Sequence, residues 1–360
     1  MTSKLYWHII EPHRFKQYDQ AVVNSRASVK VVGAHNELGI LSYYHSKNPS
    51  AMYIARVWDY EQAIKDMLAA GRSAQDAAVV MYSLLHQFVH AAGMEWCWFE
   101  CGVNEPNVDD SDTLLAWIDD YYATLVPMLA ADGIKSVSYN FSVCHPLLSN
   151  WQKLSRSLAA IKSAGPRMAC VGLHEYGGIS GDIRTYADSQ ILRHRNIAEL
   201  QTTPIVITES GREPGWQQIH RSAEDYFADL VWLDQELQKD GNVIGACLYT
   251  MDTDPEWAPF RIEGNLAIRL FDHITKENAS IVEVPPEPEL PPAGTISIRT
   301  TSTTGQNVRA YPSLVGRVVD SLNYGEVFSA NIDEAASIGL DRAWIAVKGG
   351  WAAAWLLAKG

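Results

Sequence analysis

The chain has 360 residues, 47% of them hydrophobic, enough to bury the core of one large domain with a small one beside it. A formal charge of −13 excludes a sequence-independent nucleic-acid binder, which needs a basic patch. The five cysteines, Cys97, Cys101, Cys144, Cys170 and Cys247, are odd in number and include no Cys-x-x-Cys pair, which argues against a disulfide framework or a zinc site and for buried free thiols.

No apolar run is long enough to span a membrane. The start, Met1-Thr2-Ser3-Lys4-Leu5-Tyr6-Trp7-His8, lacks the apolar stretch that a secretory leader carries after its basic residues. Localisation stays open between the cytoplasm and release or export with a leader removed.

In chain order, short apolar runs alternate with amphipathic segments. Eight runs read as strands: Leu5–Ile10, Val29–His35, Met52–Trp58, Glu95–Cys101, Ile134–Phe141, Met168–His174, Pro204–Thr208 and Val243–Tyr249. Several are continuous and rich in Val and Ile, as parallel strands buried on both faces are. Tyr60 to Ala92 keeps helical spacing, broken at Gly71-Arg72-Ser73. A helix near Asp112 is predicted to bury Leu114, Ile118, Tyr121 or Tyr122, and Leu125. Another starts at Ser222, capped by Asp225 three residues on, buries Phe227, Leu230, Leu233 and Leu237, and stops at Gly241-Asn242. Eight strand–helix units over about 250 residues predict a (β/α)8 barrel. The main rival, a doubly wound open sheet, would place a Gly-rich phosphate loop after the first strand, and there is none.

This α/β domain is assigned residues 1–280. Residues 281–294 contain Val284-Pro285-Pro286-Glu287-Pro288-Glu289-Leu290-Pro291-Pro292, a stiff extended linker. Residues 295–360 change to an all-β pattern, with short runs at Ile296–Thr300, Val308–Ala310, Val318–Asp320, Val327–Ala330, Trp344–Val347 and Trp351–Ala354. A small barrel is the natural solution at that size.

In a (β/α)8 barrel, functional side chains gather at the C-terminal ends of the strands. Strand two ends at His35-Asn36. Strand three offers Arg56, Trp58 and Asp59, and strand four Asn104 and Glu105. Strand five runs toward His145. Strand six gives His174, Glu175 and Tyr176, and strand seven Glu209. Strand eight leads to Tyr249, Asp252, Asp254 and Trp257. Such a ring of carboxylates, imidazoles and aromatic rings suits cleavage of a glycosidic bond. That reaction takes two carboxyls flanking the bond, one protonated and one ionised. Glu105 and Glu209 are predicted to face each other across the barrel mouth at about 5–5.5 Å, where the ionised group attacks the sugar carbon directly. Glu95, Glu100 and Glu213 are the competing carboxylates, and Glu100 ranks third because alternation within its strand turns it inward. Asp252, Asp254 and Glu256 lack the spacing of an EF-hand loop and are expected to be a solvated loop. The chain has no phosphate loop, Gly-x-Ser-x-Gly elbow or His-Glu-x-x-His, so no cofactor or metal is expected.

On Asn104-Glu105-Pro106, His174-x-Tyr176 and Thr208-Glu209, the first 280 residues resemble glycoside hydrolase clan A. That resemblance implies Glu105 as acid/base, Glu209 as nucleophile, and Asn104 as a hydrogen-bond partner of the sugar 2-hydroxyl. It implies His174 and Tyr176 in the same site, with Tyr176 bonded to Glu209, and Trp257 or Tyr249 as the aromatic floor. Arg56 and His35 complete the substrate-binding set. Many clan members hold the nucleophile with an arginine near the end of strand two, whereas Arg56 counts to strand three. Either the count is displaced by one or Arg56 has another part.

The tail resembles the bacterial Src-homology-3-like family at Asn307-Val308-Arg309-Ala310-Tyr311-Pro312, Gly325-Glu326, Trp344-Ile345-Ala346-Val347 and Gly350-Trp351-Ala352-Ala353-Ala354-Trp355-Leu356. It implies a module that binds cell-wall peptide or protein. The combined expectation is a retaining glycoside hydrolase of β-linked oligo- or polysaccharide. The alternatives are a lysin-like peptidoglycan hydrolase targeted by the tail, and a non-catalytic carbohydrate-binding barrel. The arrangement of Glu105 and Glu209 separates catalysis from mere binding.

Overall fold

Eight parallel strands close into a barrel in the order of the chain: β1 (Leu5–Ile10), β2 (Val29–Gly33), β3 (Tyr53–Val57), β4 (Trp98–Glu100), β5 (Lys135–Phe141), β6 (Ala169–Gly177), β7 (Ile205–Arg212) and β8 (Val243–Leu248). The structure is a computed structural model. It describes residues 2–10, 12, 18–109, 111–178, 182–219, 221–251 and 255–279, and the strand backbones of the remaining segment. Packing divides the chain into two units, Met1–Leu38 with Ser50–His90 and Met94–Ser280, and Gly39–Pro49 with Ala91–Gly93 and Ile281–Gly360.

The barrel interior is layered. At its base Tyr6, Ile54, Trp98, Val137, Cys170, Val206 and Cys247 form one apolar cluster. Period two then puts His8, Lys30, Arg56 and Glu100 on the same inner faces one step nearer the strand C-termini. Register aligns His8 with Lys30 and Arg56 with Glu100. Above them Ile10, Val32, Tyr176 and Tyr249 make a second apolar cluster. A polar layer is thus held between two apolar ones.

The helices are α1 (Asp19–Ser25), α2 (Gly39–Lys47), α3 (Trp58–Ala69), α4 (Ala74–Ala92), α5 (Asp112–Ala131), α6 (Ser155–Ala164), α7 (Ala223–Leu237) and α8 (Gly264–Asn278). The break expected at Gly71-Arg72-Ser73 separates α3 from α4. Ser111 caps α5 by accepting from Leu114 N–H at 3.1 Å. Ser222 caps α7 by accepting from Asp225 N–H, and its hydroxyl returns a 2.7 Å bond to the Asp225 carboxylate. Two core assignments shift by one residue. Leu115 and Tyr226 are buried where Leu114 and Phe227 were expected. Helix α7 also stops at Leu237, before Gly241-Asn242.

The repeat of eight strand–helix units is imperfect. The β3–β4 connection carries two helices. Among the described residues the β6–β7 connection carries no α-helix, only 3-10 turns at Ala187–Ser189, Arg193–Asn196 and Ala198–Leu200. Polar links do there what a helix face does elsewhere. The Glu175 carboxylate faces outward and accepts from the His194 N–H at 2.7 Å, with His194 Nδ1 at 2.8 Å. Arg195 reaches Asp240 at 3.0 Å and Glu236 at 3.1 Å. Burial opposes the charge on His194, but Glu175 and Asp240 outweigh it and raise its pKa to about 9.

All five cysteines are free, and Cys144 is exposed rather than buried, because it lies beyond β5 instead of inside a strand. No helix among the described residues is long and apolar enough to cross a membrane. The expected linker lies outside the described residues. Beyond it the described backbone forms seven strands in two antiparallel sheets. One takes β11 (Val318–Leu322), β10 (Gln306–Arg309), β14 (Gly350–Ala353) and β13 (Trp344–Val347) in that order, the other β12 (Val327–Asn331), β9 (Thr295–Thr300) and β15 (Leu357–Lys359). The last strand was not expected from the sequence.

Candidate active site

A cavity of about 450 Å³ opens at the C-terminal ends of the strands. Its lining includes Arg56, Trp58, Asn104, Glu105, Tyr176, Glu209, Glu213, Tyr249 and Trp257. This volume lies in the ordinary range for a small-ligand pocket.

Glu209 is not at a strand terminus as expected but inside β7, which runs on to Arg212. A register shift between Leu173 and His174 pairs His174 with Glu209 across β6 and β7. The Glu209 carboxylate is nearly sheathed. Tyr176 donates its hydroxyl to Oε2 at 3.0 Å, and His174 Nδ1 lies 3.4 Å from the same oxygen. Arg56 Nη1 and Lys30 Nζ each lie 3.5 Å from Oε1. Burial alone would raise the Glu209 pKa. The His174 imidazole and the Lys30 and Arg56 cations outweigh it, so the carboxylate is held well below the usual range. Burial, and then the Glu209 charge, push the Tyr176 phenol well above its ordinary pKa, so it stays a donor.

Glu105 has a different setting. Its side chain is 42% exposed, and His174 Nδ1 sits 2.7 Å from Oε1. Its backbone has φ 48°, the left-handed region that a non-glycine residue enters at a cost of about 1–2 kcal/mol. The neighbouring strand over-determines that conformation. Tyr139 and Asn140 also have positive φ at a bulge in β5, and the Asn140 carbonyl accepts from the Glu105 N–H at 3.0 Å. Strain maintained in this way is a mark of functional positions. An oxygen of Glu105, an oxygen of Glu209 and a nitrogen of His174 all lie within 4.8 Å of one another.

A supporting layer holds these groups. Glu61 on α3 accepts from Arg56 Nε at 2.8 Å and from the Asn104 N–H at 3.1 Å, joining the β3 arginine to the β4 loop. Lys30 Nζ crosses the barrel to the Thr208 carbonyl at 3.0 Å and to Glu100 at 2.8 Å. His8 lies beneath Tyr249, with ring centroids 5.0 Å apart. Burial, and then the Lys30 charge, drive the His8 pKa well below its ordinary value. Asn104 lines the cavity, and its Oδ1 is buried with no hydrogen-bond partner among the described residues.

Of the residues expected at the site, Asn104, Glu105, His174, Tyr176, Glu209, Arg56, Tyr249 and Trp257 come together. Arg56 does lie on β3, so the strand count stands. His35 does not join them: it is half-exposed and pairs with Asp59 at 2.8 Å. His145 pairs with Asp109 at the rim of β5, and Glu175 faces away. Asp252 and Asp254 lie outside the described residues. Among the competitors, Glu95 pairs with His90 on the outer wall, and Glu100 is the buried counterion of Lys30. Glu213 does line the cavity, and burial together with the Glu105 charge raises its pKa. Sequence reading missed His8, Lys30 and Glu61. A lysine inside the apolar run Val29-Lys30-Val31-Val32 was the available signal, since such a charge must find a buried partner.

No protein-family model matches the chain, and no curated protein matches it. Among solved structures it is similar to the full-length tri-modular endo-beta-1,4-glucanase B of Bacillus halodurans, with a TM-score of 0.53 and 11% identity over 76% of this chain and 60% of that one. It is similar to a trimodular GH5_4 subfamily endoglucanase, with a TM-score of 0.50 and 11% identity over 99% of this chain and 77% of that one. A third is the hyperthermostable endo-1,4-beta-D-mannanase of Thermotoga petrophila RKU-1, with a TM-score of 0.50 and 12% identity over 76% and 99%. The chain spans 60% of the length of the first. At these identities the likeness establishes the fold alone, a (β/α)8 barrel.

Proposed function

We propose that the chain is a retaining glycoside hydrolase of β-linked oligo- or polysaccharide. Glu105 is the acid/base and Glu209 the nucleophile. The observation that carries this reading is the pair of carboxylates with oxygens within 4.8 Å of one another on one cavity, in unequal surroundings. That approach suits direct attack on the sugar carbon, whereas an inverting pair stands about 6.5–9.5 Å apart to admit water. Glu209, sheathed by His174, Lys30 and Arg56, is the group kept ionised. Glu105, more open, is the one that exchanges protons.

In the first step Glu105 gives its proton to the glycosidic oxygen as Glu209 attacks C1. The C1–O bond breaks, the leaving sugar departs as an alcohol, and a glycosyl ester forms on Glu209. In the second step Glu105, now a carboxylate, takes a proton from water. The oxygen of that water attacks C1, the ester bond breaks, and both residues return to their starting states. Asn104 accepts from the sugar 2-hydroxyl, and Tyr249 and Trp257 offer faces to the ring.

Residues 295–360 are proposed as a Src-homology-3-like accessory module for cell-wall peptide or protein. The Bacillus halodurans glucanase and the mannanase named above are described as endo-1,4-β enzymes, which makes β-1,4-linked glycans the first substrates to try. The test is a panel of aryl β-glycosides, β-glucans, mannans and purified cell walls, with the anomer of the first product read by NMR. Hydrolysis with retention is expected. Glu209→Ala should abolish turnover on every substrate. Glu105→Ala should lose least on activated aryl leaving groups, which need no proton. Product of inverted configuration, or Glu209→Ala with wild-type turnover, would overturn the assignment. Clearing of cell walls alone would move the substrate to peptidoglycan.

A further inference from the structure

Away from the cavity, the outer wall of the barrel gathers three metal-ligating side chains. His86 and His90 stand four residues apart near the end of α4, so their rings project from one helix face, with centroids 4.8 Å apart. Asp132 closes α5 as its C-cap residue. Its Oδ2 lies 2.7 Å from His86 Nδ1 and 3.1 Å from His90 Nε2. One ligand atom from each of the three lies within 4.8 Å of the other two.

The far side of this cluster is also built. His90 Nδ1 is 2.9 Å from Glu95 Oε1. A carboxylate on the second nitrogen sets the tautomer and orientation of a metal-binding histidine and makes the free nitrogen a better ligand. The His86 ring is about half exposed and Asp132 is one-fifth exposed, so an ion can enter from solvent and keep water in the remaining position. The proposed catalytic chemistry uses none of these residues.

We propose that His86, His90 and Asp132 form a binding site for a zinc ion, with Glu95 orienting His90. Two imidazole nitrogens and one carboxylate oxygen suit zinc, which binds each at about 2.0–2.2 Å. Ligand atoms at those radii around a tetrahedral ion sit a little over 3 Å apart by simple geometry. The Asp132 oxygen already stands at 2.7 and 3.1 Å from the two nitrogens, close to that spacing. Helix α4 leads into β4 and α5 into β5. The ion therefore joins two successive helices at the end of the barrel opposite the cavity, where a contact serves stability rather than chemistry.

The experiment uses the full chain, stripped with a chelator and dialysed. It is titrated with zinc chloride by calorimetry and followed by thermal unfolding. One site per chain is expected, with Tm rising by about 5 °C when zinc stands a hundredfold above its Kd. His86→Ala and His90→Gln should each remove the site, and Asp132→Asn should weaken it at least tenfold. The Glu105–His174–Glu209 cluster also brings three ligand atoms together, so Glu105→Gln/Glu209→Gln is titrated in parallel to show that the single site lies elsewhere, and it should retain both the site and the Tm rise. Should His90→Gln fail to fold by circular dichroism, His86→Ala carries the same test from a half-exposed position. A binding isotherm unchanged by the histidine substitutions, or no Tm change at millimolar zinc, overturns the proposal.

Discussion

Replacing Lys30 with methionine keeps the length of the side chain and removes its charge. Lys30 is wholly buried, with Nζ 2.8 Å from Glu100, 3.0 Å from the Thr208 carbonyl and 3.5 Å from Glu209. The Glu100 side chain is only 1% exposed, so the substitution strands a buried anion. Removing one partner of such a pair costs about 3–5 kcal/mol. At about 2–4 °C of Tm per kcal/mol, the midpoint should fall by roughly 6–20 °C. Adding Glu100→Gln deletes the stranded charge, and Lys30→Met/Glu100→Gln should regain more than half of the loss. The assay is urea and thermal unfolding of the four chains as a double-mutant cycle. A single-variant cost below about 1 kcal/mol, or a double variant no more stable than Lys30→Met, would refute the reasoning. The same change also acts on activity. A nucleophile whose pKa is depressed is charged above that pKa, and activity is lost as pH falls through it. Taking away one of the cations that depress Glu209 raises its pKa. The acid limb of kcat/KM in Lys30→Met should therefore lie at higher pH than in the wild type.

Tyr176→Phe removes the 3.0 Å bond to Glu209. A hydrogen bond to a charged group is worth about 1.5–3 kcal/mol, so loss of that much in the transition state should lower kcat/KM by roughly 10- to 150-fold. An unchanged kcat/KM would show that Tyr176 does not position the proposed nucleophile. At Gly102 an added Cβ would land on the Tyr122 hydroxyl. Gly102→Ala should thus destabilise by about 1–3 kcal/mol and slow turnover by moving the Asn104–Glu105 loop, and Tyr122→Phe in the same chain should relieve part of both losses. His194 has a pKa raised from 6.5 to about 9, so its pairing stabilises the fold fully below 6.5 and is lost as pH rises through 9. The stability difference between wild type and His194→Gln, measured by urea unfolding, should narrow across that interval.

The barrel was legible because its strands announce themselves. Runs such as Ile205–Ile207 and Val243–Leu248 are apolar throughout, flanked by segments of helical spacing, as strands of a parallel sheet covered on both faces are. The same property hides the site. In a strand buried on both sides, hydropathy does not alternate, so nothing in Val29-Lys30-Val31-Val32 says whether Lys30 faces the barrel interior or the helices. Closure of the barrel and its register decide it, turning Lys30 inward against Glu100 and Glu209. His174, Glu175 and Tyr176 show the local rule still at work. Alternation puts His174 and Tyr176 on the face of Glu209 and sends Glu175 outward to His194.

By itself the sequence determined the strand count, the helix cap at Ser222, and Glu105 and Glu209 as carboxylates belonging to strands four and seven. These are local matters of composition, spacing and cap chemistry within a few residues. Only the tertiary structure decided that an oxygen of each carboxylate lies within 4.8 Å of the other, that His174 stands between them, and that His35 belongs to the rim with Asp59. Glu105 and His174 are 69 residues apart and Lys30 and Thr208 are 178 apart. Distances of that kind depend on barrel closure and on the bulges in β5 and β7, and no short window of residues encodes them.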